Sequence, residues 1–129
     1  MAAYALGALA APGVREALAG ALEDRAPDVA WNAALSLARL GDPAGLPLLD
    51  RLLERPYLDA VRSPDPLGHP TPLPEDRKEE IMIAALRAVA ELGGEERRPA
   101  IEAIAAADPS LAVRQAALET LRAMEGGNR

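Results

Sequence analysis

The chain has 129 residues and a net charge of −6, with half of its positions hydrophobic but only 2% aromatic. Ala and Leu fill 29 and 20 positions, while Phe and Cys are absent. Such a dominance of helix formers excludes most all-β folds, and the lack of Cys excludes disulfide scaffolds, thiol catalysis and cysteine-ligated metal sites.

Residues 1–14 form the longest run without a charge. The run is too short to span a bilayer and has no basic flank, so the expected location is the cytoplasm. Helical periodicity explains it better. Shifted by 31 residues, the segment 1–24 falls on 32–55. Ala2, Ala3, Leu6 and Leu9 meet Ala33, Ala34, Leu37 and Leu40, and Pro12, Leu18 and Leu22 meet Pro43, Leu49 and Leu53. A recurring register of this length marks a repeat protein.

The second unit shows how each repeat is built. Val29, Ala33, Leu37 and Leu40 share one face of a helix. Gly41 ends it, and Asp42-Pro43 starts the next, with Asp as cap and Pro in the first turn. Leu49, Leu52 and Leu53 face inward from that second helix. Ala positions let the two helices approach. A pair of this kind buries its apolar face only by stacking on neighbours.

A Pro-rich insertion follows at residues 56–74, with six of the twelve prolines and the only His. Tyr57 to Val61 suits a short helical turn, whereas 63–74 suits extended backbone. Its apolar residues (Tyr57, Leu58, Val61, Leu67, Leu73) fit either a loop packed over Trp31 and Ile83 or a ligand or partner loop. The candidate ligand residues there are Trp31, Tyr57, Arg62 and His69.

Glu75-Asp76 and Glu79-Glu80 open the next helix, where carboxylates complement the dipole. A shift of 52 places Val29, Ala33, Leu37 and Leu49 on Ile81, Ala85, Val89 and Ile101, so about 21 residues are inserted. A further shift of 32 places Ile81, Ala85, Val89 and Leu92 on Val113, Ala117, Leu121 and Met124. Asp108-Pro109 repeats the start signal, and Gly93-Gly94 and Gly126-Gly127 read as helix ends.

These residues resemble the short HEAT-like repeat, the variety also seen in phycobilin-lyase-type proteins. Its pattern runs Asp, Val-Arg, Ala-Ala, then Ala-Leu-Gly-x-Leu-Gly-Asp-Pro. The matches are Ala5-Leu6-Gly7, then Val29, Ala33-Ala34 and Leu40-Gly41-Asp42-Pro43, then Asp108, Val113-Arg114 and Ala117. Ala30 and Met82 replace the Arg of the pattern in the middle units. The resemblance implies an all-α fold: a right-handed α-solenoid of HEAT-like helix pairs, armadillo-like, in one domain over residues 1–129 with about three and a half repeats. The first unit lacks its opening turn and a polar cap. It reads either as a start within a longer array or as an exposed N-terminal helix that self-associates.

The sequence carries no phosphate-binding glycine loop and no nucleophile elbow, so the expected function is a non-catalytic protein-interaction or scaffold module with a protein partner and no cofactor. Di-iron enzymes with this repeat use several His-Glu pairs, but His69 is followed by Pro70. One Lys and Arg residues interleaved with carboxylates disfavour nucleic acid. In this family the second helices line the concave side. The expected partner-binding residues there are Arg15, Asp50, Arg51, Glu54, Arg98 and Glu102, in a mixed-charge stripe that suits a basic or mixed-charge protein surface better than nucleic acid, or is only a solvated face. The alternative is a lyase-like or tetrapyrrole-type ligand site at the insertion.

Overall fold

The computed structural model describes residues 12–92 and 95–127. The helix expected at the start of the first unit (with Ala2, Ala3, Tyr4, Leu6 and Leu9), its expected self-association and the expected Gly93-Gly94 helix end lie outside the described residues.

Helix α1 spans Pro12–Ala21 and packs on α2, Pro27–Arg39. Helix α2 begins with Pro in its first turn beside Asp28, which suits the helix dipole. It ends as the repeat pattern predicts. Gly41 takes φ +75°, its amide donates to the Ala38 carbonyl, and the Asp42 amide donates to the Leu37 carbonyl. This pair of bonds is the Schellman closure, which needs a residue free to adopt positive φ.

The Asp42 carboxylate then accepts from the Ala44 amide at 2.9 Å and starts a 3-10 turn, Pro43–Gly45. The turn runs into α3, Leu46–Leu52, whose Leu49 and Leu52 are fully buried, and Leu53 just beyond it is buried as well. Gly45 sits against α2 so closely that a Cβ there would lie 2.8 Å from the Ala34 Cα. In the third unit the same register positions hold Arg97 and Leu86. The third unit therefore lacks the small pair, Ala34 and Gly45, that lets the helices of the second unit approach so closely.

The insertion has its own structure. Helix α4, Arg55–Ala60, buries Leu58 completely. Strands β1, Arg62–Pro64, and β2, Pro70–Pro72, form an antiparallel hairpin that pairs Ser63 with Thr71 and Pro64 with Pro70. Both strands are edges, so prolines whose missing N–H would point outward cost no ladder bond. They also block pairing with further strands. Leu73 then returns to the core. The insertion is thus ordered and docked, as one of the two sequence readings expected.

Helix α5, Glu75–Glu91, opens with the acidic turn and packs on α2, α3 and α7. A 3-10 turn, Glu95–Arg97, leads to α6, Arg98–Ala107, which packs on α7, Leu111–Gly127. Gly126 and Gly127 lie inside the end of α7 rather than beyond it, because single glycines weaken a helix without ending it. One contiguous core runs from Trp31 through Leu58 and Leu86 to Met124.

One expectation for this core needs correction, that for Val29. Trp31 lies off the main stripe and is only 3% exposed, with Tyr57 of the insertion packed on it as expected. A helix flanked on both sides buries a band wider than one stripe, here Ala30, Trp31, Ala33, Ala34, Leu37 and Ala38. Val29 lies on the predicted stripe yet is 43% exposed, while its repeat equivalents Ile81 and Val113 are buried.

Candidate interaction surface

The second helices bring part of the predicted stripe together. Asp50 on α3 accepts two hydrogen bonds from the Arg97 guanidinium, at 2.6 Å from Nε and 3.0 Å from Nη2. This bidentate geometry is the strong form of the Arg–carboxylate pair. Hydrogen bonding to Asp50 raises the Arg97 guanidinium above its ordinary pKa, and burial opposes it. Around the pair, Leu53, Glu54, Glu96 and Ala100 complete an open cleft of about 390 Å³. Its rim carries the carboxylates of Asp50, Glu54 and Glu96 against the single cation Arg97.

The other predicted residues lie around or away from this cleft. Arg51 is exposed in the last turn of α3. Arg98 donates to Glu95 at 2.7 and 3.2 Å and lies 3.6 Å from Glu125. The bonds to Glu95 are the main cause of its raised pKa. Glu102, exposed one turn further along α6, contributes a weaker field at Arg98. Arg15 stands one repeat away on α1, where Nη2 donates to the Leu40 carbonyl at 3.3 Å and Nη1 lies 3.9 Å from Asp42.

The four candidates near the insertion divide into a pair and two separate residues. Trp31 donates its indole N–H to the Tyr57 hydroxyl at 3.4 Å, and the rings meet edge to face with centroids 6.5 Å apart. This contact holds α4 on α2. Arg62 is turned back on its own backbone, donating to the carbonyls of Asp59 at 2.8 Å and Val61 at 3.1 Å. His69 lies near the hairpin tip with its ring 3.5 Å from Asp65.

A second ionic network was not visible in the sequence. Arg55 at the start of α4 donates to Asp108 at 2.9 and 3.1 Å and also to Glu75. The Arg55 and Asp108 side chains are 14% and 4% exposed. The bond to Asp108 is the main cause of the raised Arg55 pKa. Lys78 donates to Asp59 at 2.7 Å and lies 3.7 Å from Glu75. Its hydrogen bond holds the Asp59 carboxyl below its ordinary pKa. The Ser110 hydroxyl donates to Glu79.

Asp108 also corrects the expected helix start. Helix α7 begins at Leu111, and Ser110 caps it by accepting from the Val113 amide at 3.2 Å. The Asp108 carboxylate, engaged by Arg55, accepts from the Ser110 amide at 3.0 Å as a turn just outside the helix. Nothing local in the sequence marks Arg55 as the partner of a residue 53 positions away. The repeated Asp-Pro was the one available signal, and it marked the turn rather than the ion pair.

Among the described residues, no group of three or more His, Asp or Glu converges as a metal site. No helix among them is long and apolar enough to cross a membrane. A family model described as HEAT repeats matches residues 1–64. The chain is a HEAT-like repeat protein. The match covers the first two units and the start of the insertion, and α5, α6 and α7 carry the same register beyond it. No curated protein and no solved structure matches this HEAT-like chain.

Proposed function

We propose that this HEAT-like chain is a non-catalytic protein-interaction module, one domain of about three and a half repeats, acting in the cytoplasm. Its partner is a protein that presents a basic segment to the second-helix face. The observation that supports this reading is the α3–α6 cleft, where three carboxylates surround one arginine over the apolar floor of Leu53 and Ala100. A basic side chain placed between Glu54 and Glu96 gains from both, and its stem covers the floor. The same balance of charge repels nucleic acid.

The ligand-binding alternative draws less support. The crevice beside Trp31 measures about 190 Å³, below the roughly 300–1,000 Å³ of sites for drug-sized ligands. The test is titration with an octalysine peptide at low and high salt. Binding weakens with salt and is lost in Glu54→Lys/Glu96→Lys, whose positions are exposed and whose fold is checked by circular dichroism. Binding unchanged by that double reversal refutes the reading.

A further inference from the structure

The α3–α6 cleft already holds a guanidinium of its own. Arg97 closes the 3-10 turn Glu95–Arg97 and reaches back across the repeat boundary to Asp50. It grips that carboxylate with two hydrogen bonds and brings Nη1 to 3.7 Å from Glu96. One arginine thus engages two of the three carboxylates around the cleft. Arg98, next in sequence, is held by Glu95 within its own turn and does not line the cleft.

Helix packing does not account for this residue. The same register position in the second unit is Gly45, which lies so close to α2 that a Cβ would be 2.8 Å from the Ala34 Cα. A position that serves helix approach in one unit carries, in the next, a long cation directed into a cleft. Nor does burial fix the fork in place. Asp50 is partly exposed and Glu96 fully so, and water replaces a lost partner at such open sites. A partner cation that reaches for Asp50 meets an occupied carboxylate. Its apparent affinity is reduced by the fraction of molecules in which Arg97 has swung out. With Arg97 turned to water, Asp50 joins Glu54, four residues further on, in facing the incoming charge.

We propose that Arg97 is an autoinhibitory plug: it stands in for the partner's basic side chain on Asp50 and is displaced when the partner binds. The inference rests on the basic-partner reading above and adds the regulation of that same site.

The probe is the octalysine peptide at low salt. Arg97→Gln binds it about two- to fivefold more tightly than wild type, the scale set by opening one surface ion pair. Arg51→Gln removes the same charge from the exposed last turn of α3 and controls for the general field, so its gain is smaller. Circular dichroism checks that both variants keep their helices. A second measurement uses the wild type alone. The Arg97 Nε–H donates to Asp50 in the free protein, and its NMR signal loses protection from exchange when the peptide saturates the site. Equal or weaker binding by Arg97→Gln overturns the plug, while wild-type binding that is lost in Glu54→Lys/Glu96→Lys still supports the wider reading. An equal gain in Arg97→Gln and Arg51→Gln assigns the effect to net charge and overturns the plug as well. So does an Arg97 Nε–H that stays protected at saturation. Absence of binding by every form refutes the basic-partner reading itself, and the plug with it.

Discussion

Among the described residues a bidentate Arg–Asp pair forms twice, in two different settings. Arg55 and Asp108 are nearly inaccessible and join the insertion helix to the turn before α7. Arg97 and Asp50 lie on the second-helix face, where the Asp50 side chain is 42% exposed and further carboxylates stand beside it. The hydrogen bonds are similar, but the surroundings differ. A buried pair leaves a stranded charge when one partner is removed, whereas water takes over the role of a lost partner at the surface. The first pair therefore reads as part of the framework. The second leaves charge available for a partner.

The largest expected effect comes from removing Asp108. Asp108→Ala leaves the Arg55 guanidinium buried without its main acceptor and also removes the turn bond to Ser110, at a cost of about 3–5 kcal/mol. The urea midpoint measures it. A loss below about 1 kcal/mol would erase the distinction between the two pairs.

Leu58→Ala comes next, at about 2–5 kcal/mol by cavity formation. It tests whether the insertion is held by its apolar anchor as well as by the ions. If the variant unfolds the insertion alone, protease cleavage at Arg62 rises while the helical signal stays.

Asp50→Asn is the surface counterpart and is expected to cost about 0.2–1 kcal/mol. A cost matching that of Asp108→Ala would make both pairs structural and would weaken the case for an available face.

The smallest effect is a pH dependence at the edge of the buried network. The folded Asp59 carboxyl titrates below its ordinary value because Lys78 donates to it. Its contribution to stability is therefore present above the unfolded-state pKa and is lost as pH falls through the folded-state value. The stability gap between wild type and Lys78→Gln should stay constant near neutrality and narrow below about pH 4. A gap independent of pH would remove Asp59 from the network.

The 31-residue register, the inward Leu49 and Leu52, the Gly41 stop and the Asp42 start were all legible in the sequence. Each depends on spacing within a few residues, and local geometry fixes such features whatever lies elsewhere. The same reasoning misjudged Val29, which is 43% exposed, because periodicity shows one face of a helix, while burial depends on which neighbours flank it. Of the predicted partner stripe, Asp50 and Glu54 fall in one cleft, and Arg15 stands a repeat away. The missing member was Arg97, which the Asp50 carboxylate recruits from the following repeat across 47 residues.

The sequence by itself determined a helical repeat, its unit and most of its helix ends, because those rest on propensity, periodicity and capping. Only the tertiary structure decided that Arg55 meets Asp108, that Ser110 rather than Asp108 caps α7, and that the insertion is a docked arm with Leu67 at its tip. Those outcomes follow from which residues stacking brings within hydrogen-bond reach, and no local pattern encodes that distance.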